Sequence, residues 1–349
     1  MLISPSLIPR RIVWLLSSLL LAAAPVFANA AEQVRWPVTG KPGDVATYDT
    51  ESVVRDIENG ASSTRRTTDH TDVRIDEAGA AGYAQTWVTR DSRIEAVQGD
   101  RSMVDAIAPL LDKLDGMKVR IELDRNGHYR RVSNLQALVD KVRAEMLPIF
   151  IANLPNMFKN ADPKISKVDR EAAIRIAQDS LKASMDSIIT ANSVETMANA
   201  QPKTMTAFVG KTLEVGKRYR DAEPMDSPNE GMSLPASREY TLSLVDGAPD
   251  LARIRWSQTL DATGDPKALW ALVDELTDGE TKADVRKARP ADLTLRRDGV
   301  LVFRRDTGAV DMLETTEVSR YGTAHDEHER YRMRRSGSTR TWAQEDAAR

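Results

Sequence analysis

Val119-Arg120-Ile121-Glu122-Leu123-Asp124-Arg125-Asn126-Gly127-His128-Tyr129-Arg130-Arg131-Val132 decides the fold class. Val119, Ile121 and Leu123 alternate with Arg120 and Glu122, the two-residue period of a strand buried on one face. Asn126-Gly127 follows, and both residues tolerate the positive φ of a tight turn, so His128–Val132 is expected to fold back on Val119–Leu123. An antiparallel hairpin anchors the reading of everything around it.

Upstream, Val45–Val54 and Thr64–Asp76 read as strands, the second rich in Thr, Arg and Asp and so exposed on at least one face. Gly79–Gly82 is a small-residue turn into Tyr83–Thr89. There Tyr83, Gln85, Trp87 and Thr89 share one face. Ser102–Leu114 repeats Val104, Ile107, Ala108, Leu111 and Leu114 at helical spacing, with Ser102 and Asp105 placed as a capping pair.

The centre changes character. Residues 135–200 are helical in pattern, with interruptions expected at Pro148, Pro155 and Pro163. Ser166 and Asp169 can cap a long helix whose apolar stripe is Ile174, Ala177, Leu181, Met185, Ile188 and Ile189. After Val209 the first pattern returns. Gly216–Tyr219 echoes Gly43–Tyr48, Arg238–Val245 and Leu251–Leu260 read as strands, and Trp256 is placed much as Trp87 is. Asp265-Pro266 opens a helix striped by Leu269, Leu272, Val273 and Leu276. Leu293–Arg296, a turn at Asp298-Gly299 and Val300–Arg304 read as a hairpin, Asp306-Thr307-Gly308 as a further turn into Ala309–Glu317, and Glu329–Arg334 as the final strand.

The expected architecture is therefore α+β: mainly antiparallel sheet in two similar, incomplete-barrel-like halves with a helical central segment. The expected divisions are a signal peptide at 1–30, a tether at 31–41, β-rich halves at 42–134 and 210–335 around a helical 135–209, and a tail at 336–349. A shared order of elements with equivalent tryptophans suggests internal duplication.

The first thirty residues set the compartment. Arg10-Arg11, an apolar run from Ile12 to Ala24 and Ala28-Asn29-Ala30 form a secretory signal cleaved after Ala30. The run is short of the roughly 20 apolar residues of a retained span. The chain has no cysteine, which excludes a lipoprotein signal, disulfides and thiolate chemistry. Pro9 and Ile12-Val13-Trp14 fit twin-arginine export poorly. A periplasmic protein is expected, touching the membrane only through its signal, with secretion to the medium as the alternative. Without residues 1–30 it carries 47 basic and 52 acidic side chains, a formal charge of −5. That balance offers no electrostatic case for nucleic acid.

A Gly-Tyr opening strand, the Leu123-Asp124-Arg125-Asn126-Gly127 turn and a second pass opening with Val215-Gly216-Lys217-Arg218-Tyr219 resemble exported bacterial proteins of unknown function built from paired β-rich halves. More distantly, the layout is similar to LolA/LolB-type periplasmic lipoprotein carriers. That resemblance implies an incomplete antiparallel barrel plugged by helices and holding acyl chains. It carries over no functional residue, and the long central helical insert departs from it.

Chemistry-bearing motifs are few. His325-Asp326-Glu327-His328 could offer two imidazoles to a metal on a helix, but on a strand they face apart; a charged, solvated loop is the expectation, and no metal or cofactor is expected. His70 and His128 are expected to be exposed. No G-x-S-x-G elbow, S-x-x-K or Gly-rich phosphate loop occurs. Carboxylates abound without pattern, so a carboxylate hydrolase is the weakest reading. Arg330, Arg332, Arg334 and Arg335 could line an anion-binding face, against which stands an outer face balanced by Glu314, Glu317, Glu327 and Glu329, with Tyr331 and Met333 facing in.

Methionine and phenylalanine concentrate in the middle, where flexible thioethers suit varied apolar ligands. The residues expected to line a pocket are Trp87, Met146, Phe150, Met157, Phe158, Met185 and Trp256. The leading expectation is a non-catalytic periplasmic protein that binds a hydrophobic or envelope-derived ligand between curved sheet and helices. The alternative is an envelope interaction protein without a pocket.

Overall fold

The computed structural model describes residues 32–37, 40–58, 61–99, 101–157, 167–226, 233–260, 293–321 and 325–347. The signal segment, Ser166 and the expected helix after Asp265-Pro266 lie outside them.

Eleven strands form one antiparallel sheet. In chain order the strands are β1 (Gln33–Arg35), β2 (Val45–Glu58), β3 (Ala61–Gly79), β4 (Gly82–Gln98), β5 (Lys118–Leu123), β6 (Tyr129–Val132), β7 (Thr212–Glu214), β8 (Arg218–Ala222), β9 (Met225–Asp226), β10 (Ser233–Leu234), β11 (Ala236–Val245), β12 (Ala248–Leu260), β13 (Leu293–Arg304), β14 (Val310–Tyr321) and β15 (His325–Arg335). The helices are α1 (Ser102–Leu114), α2 (Leu135–Met157), α3 (Lys167–Ile188), α4 (Ala191–Thr206) and α5 (Trp342–Ala347). The large sheet runs β6-β5-β4-β3-β2-β15-β14-β13-β12-β11-β8, while β1 pairs with β7 and β9 with β10.

This order joins the two β-rich stretches seamlessly. β15 pairs with β2 along eleven positions, from His325 opposite Glu58 to Arg335 opposite Tyr48. The free edges are β6 and β8, which flank the helical middle of the chain, so the sheet is not closed into a barrel.

The sheet must nevertheless curl. In α4, Asn199 donates to the Tyr129 hydroxyl of β6 at 3.4 Å. Nine residues later, Phe208 meets Tyr240 of β11 with ring centroids 5.0 Å apart. Nine residues of helix rise about 14 Å, whereas a flat sheet would hold β6 and β11 about 43 Å apart at the usual strand spacing. The helices thus sit in the hollow of a bent sheet. One core cluster unites Ile121 and Val132 from one flank, Leu242 and Ile254 from the other, and Leu138, Val139, Val142, Val194 and Phe208 between them.

Several local expectations are corrected. The stretch read as a tether contains β1, and its Trp36 is buried, stacked on Phe303 at 4.3 Å and nearly parallel. The α1 N-cap is Arg101 rather than Ser102, and no side chain caps it. α2 runs through Pro148 and Pro155; a proline removes one amide donor, and the buried Leu138, Val139 and Val142 anchor the helix regardless. The hairpin turn between β5 and β6 spans Asp124–His128, closed by the Asp124 amide donating to the His128 carbonyl at 2.8 Å. Asp298-Gly299 makes no turn: β13 is continuous, with Gly299 opposite Trp256 on one side and Thr315 on the other. His325–His328 belongs to β15 rather than a loop, because β14 and β2 both supply it with hydrogen-bonding partners.

The expected tail also has structure. Helix α5 lies on the back of the sheet, where Trp342 packs near Val302, Met312 and Leu251. Arg253 donates twice to Glu345, at 2.8 and 3.0 Å, and Arg340 donates to the same carboxylate at 2.8 Å. Arg253 and Glu345 are both buried, so this doubly paired carboxylate fixes the helix end.

Candidate functional site

A cavity of about 530 Å³ opens on the helix-bearing face. Its walls come from separate elements. β2 supplies Ala46 and Tyr48, β3 supplies Val73 and Ile75, β4 supplies Tyr83, Gln85 and Trp87, and β5 supplies Leu123. Trp36 and the Thr307–Val310 turn close one side, and Met205, Thr206 and Val209 close another.

Alternation explains the lining. Ala46 pairs with Val73 and Tyr48 with Thr71 across β2 and β3. Val73 pairs with Trp87 and Ile75 with Gln85 across β3 and β4. Paired residues share a face, so one row of side chains crosses the sheet beneath the helices. The face predicted from Tyr83, Gln85 and Trp87 is this one.

The polar tips of the aromatic walls are satisfied. Trp36 Nε1 donates to the Gly308 carbonyl at 2.9 Å, Tyr48 Oη to the Val310 carbonyl at 3.2 Å, and Trp87 Nε1 to Gln85 Oε1 at 3.0 Å. What remains toward the cavity is largely apolar ring and aliphatic surface. Burial pushes the Tyr48 phenol up to about 12, with Arg335 opposing and Asp311 adding to the rise, so it stays neutral at physiological pH. Gly308 has φ +69°, and a Cβ there would run into the Pro37 carbonyl and the Trp36 ring, so glycine lets that loop close on the indole.

The other expected pocket residues are spread out. Trp256 is buried away from this cavity, in an aromatic cluster with Phe208 (centroids 5.7 Å) and Tyr240. Arg238 lies 4.7 Å over the Phe208 ring there. Met146 packs against the core from α2, and Phe150 of the same helix is exposed. Met157 ends α2 and Met185 lies in α3, with side chains outside the described set; Phe158 is outside the described residues altogether. Met205 lines the cavity, while Met197 is exposed. Methionine enrichment in the middle segment therefore serves core, cavity and surface alike.

Sequence reasoning missed Trp36, Tyr48, Val73, Leu123 and Arg335 as lining residues. For Arg335 a signal existed: it shares parity with the inward Tyr331 and Met333, not with Arg330, Arg332 and Arg334. Those three lie on the opposite face and are engaged. Arg332 pairs with Glu314 at 2.8 Å and Asp346 at 2.8 Å, Arg330 approaches Glu51 at 3.7 Å, and Arg334 approaches Asp49 at 3.6 Å. Of the expected balancing acids, Glu314 does pair with this row. Glu317 and Glu329 stand opposite each other on the inner face, where Glu317 holds Arg297 at 2.6 Å.

His70 and His128 are half exposed, each facing an aspartate: His70 meets Asp49 at 2.9 Å and His128 meets Asp124 at 3.6 Å. Among the described residues, no group of three or more His, Asp or Glu could hold a metal ion. Among them too, no helix is long and apolar enough to cross a membrane.

No family model and no curated protein matches the chain. Solved structures with distant similarity include two of contrasting kinds. One is the lipovitellin structure described by its lipid–protein interactions, at 6% identity and TM-score 0.42, covering 85% of this chain and 25% of that one. The other is the COG4313 outer membrane channel from Pseudomonas putida F1, at 9% identity and TM-score 0.23, covering 85% and 97%. The chain thus spans about a quarter of the lipovitellin chain it matches. Likeness at this level leaves the function to be argued from the residues.

Proposed function

We propose that this protein is a non-catalytic binder of an apolar ligand, held in the cavity between the bent sheet and its helices. The observation that carries the reading is the cavity itself, about 530 Å³ and walled by Trp36, Tyr48, Val73, Ile75, Trp87 and Leu123. Its volume lies within the roughly 300–1,000 Å³ of small-ligand sites. Each methylene buried there is worth about 0.8 kcal/mol, so a medium-length acyl chain would bind usefully. In this reading the protein works in the periplasm, delivered by the leader ending at Ala30. The resemblance to lipoprotein carriers agrees with an apolar ligand.

The test is direct. Organic extraction of the purified protein followed by mass spectrometry should release a lipid, and a fluorescent fatty acid should be taken up with one-to-one stoichiometry. Ala46→Phe, which adds a ring to the cavity wall, should reduce uptake at least tenfold while leaving the circular dichroism unchanged. No extractable lipid together with no uptake would sink the reading.

A further inference from the structure

Among the described residues, the cavity wall contains a partly buried cation, Arg335, that has no counter-ion. The charged side chains lining it are Lys41, Asp44 and Arg335. Asp44 is occupied, accepting the Lys41 backbone N–H at 2.8 Å. Lys41 is exposed to solvent at the mouth.

Arg335 differs from both. It ends β15 opposite Tyr48 and is partly buried on the cavity side. Its neighbours Arg330, Arg332 and Arg334 all find carboxylates on the other face. Arg335 itself has no carboxylate within ion-pair distance among the described residues. Tyr48, opposite Arg335 on the neighbouring strand, remains a neutral phenol donating to Val310. A guanidinium held beside apolar walls without a partner loses hydration and regains nothing. Its planar fork matches a carboxylate or a phosphate bidentately.

We propose that the ligand is an amphiphile with one apolar chain and an anionic head, and that Arg335 binds the head while the chain lies along Val73, Trp87 and Leu123. This rests on the apolar-ligand reading and narrows it to a substrate class.

The experiment is displacement of a neutral fluorescent probe, N-phenyl-1-naphthylamine, by single-chain ligands of equal length below their micellar concentrations. A fatty acid, a lysophosphatidic acid and a fatty alcohol are compared on the wild-type protein, Arg335→Gln and Arg335→Lys. The expected result is that at least one anionic ligand displaces the probe at a tenfold lower concentration than the alcohol. Arg335→Gln should abolish that preference, leave alcohol binding unchanged and so show an intact cavity; Arg335→Lys should retain part of it. The better of the two anions identifies the head group. Equal displacement by acid and alcohol, untouched by Arg335→Gln, overturns this inference and leaves the cavity reading standing. Failure of the probe and all three ligands to bind overturns both. Should Arg335→Gln not fold, the salt series on the wild type decides. A preference for the anion that weakens from 50 to 500 mM salt supports the head-group role, and the lack of any preference at 50 mM overturns it.

Discussion

The indole of Trp256 occupies the space above Gly299 on the neighbouring strand, so that any side chain at position 299 would collide with the ring. Gly299 is not in the left-handed region and forms no turn; it is a glycine because a tryptophan lies across it.

Gly299→Ala should therefore destabilise the protein by about 1–3 kcal/mol, the usual range for overpacking a filled site. Chemical denaturation would read this as a lower midpoint. In a Trp256→Leu background the same change should cost much less, because the obstructing ring is gone. An unchanged penalty would point to backbone effects instead.

Trp36 is expected to be structural in spite of its place near the start of the described chain. Its ring stacks on Phe303, and its Nε1 holds the Gly308 carbonyl. Trp36→Ala should cost about 3–5 kcal/mol and also open the cavity that the indole walls. Thermal unfolding with parallel probe binding tests both effects. A tether would show neither.

Glu345 links α5 to the back of the sheet. Burial alone would raise its carboxyl; the hydrogen bonds and charges of Arg253 and Arg340 overcome this and hold it below the ordinary glutamate value of 4.5. A depressed folded value means stability present above the unfolded value and lost as pH falls through the folded one. Glu345→Gln should thus cost about 3–5 kcal/mol at pH 7, as for other broken buried pairs. The gap in melting temperature between the two proteins should close below pH 4.5.

Glu329 shows the opposite behaviour. Burial, with Glu317 opposite, raises its carboxyl above 4.5, although Ser52 donates to it at 3.2 Å. A raised folded value means that the protonated group's stability is present below the unfolded value and is lost as pH rises through the folded one. Glu329→Gln should raise the melting temperature at pH 7, and the gain should vanish below pH 4.5. A pH-independent difference between the two proteins would refute this assignment.

Strands were legible wherever one face is buried, because alternation records which side chains avoid water. Tyr83, Gln85 and Trp87 were placed on one face, and that face lines the cavity. Alternation within a strand cannot say which strand lies beside it, so the pairing of β2 with β15 was not readable. Asp298-Gly299 misled for a related reason. The dipeptide is turn-like in isolation, and only the Trp256 ring, some forty residues away, explains the glycine.

The cavity was less legible than the fold. Enrichment in methionine and phenylalanine points to apolar surface but not to its location, and Phe150 and Met197 are exposed while Met205 lines the site. Trp36 carries only a short alternation, Val34, Trp36 and Val38 around Arg35 and Pro37, too brief to distinguish a strand from a proline-flanked linker.

Local patterning by itself determined an antiparallel α+β protein, its strand faces, the hairpin at Asn126-Gly127 and the helical middle, because these follow from side-chain periodicity and backbone freedom within a few residues. Only the tertiary structure decided that both β-rich stretches share one bent sheet, that Trp36 and Met205 line one cavity, and that Arg335 lines its wall. Those outcomes depend on pairings between residues hundreds of positions apart, and their free energy arises from surfaces that meet only when the whole sheet curls around its helices.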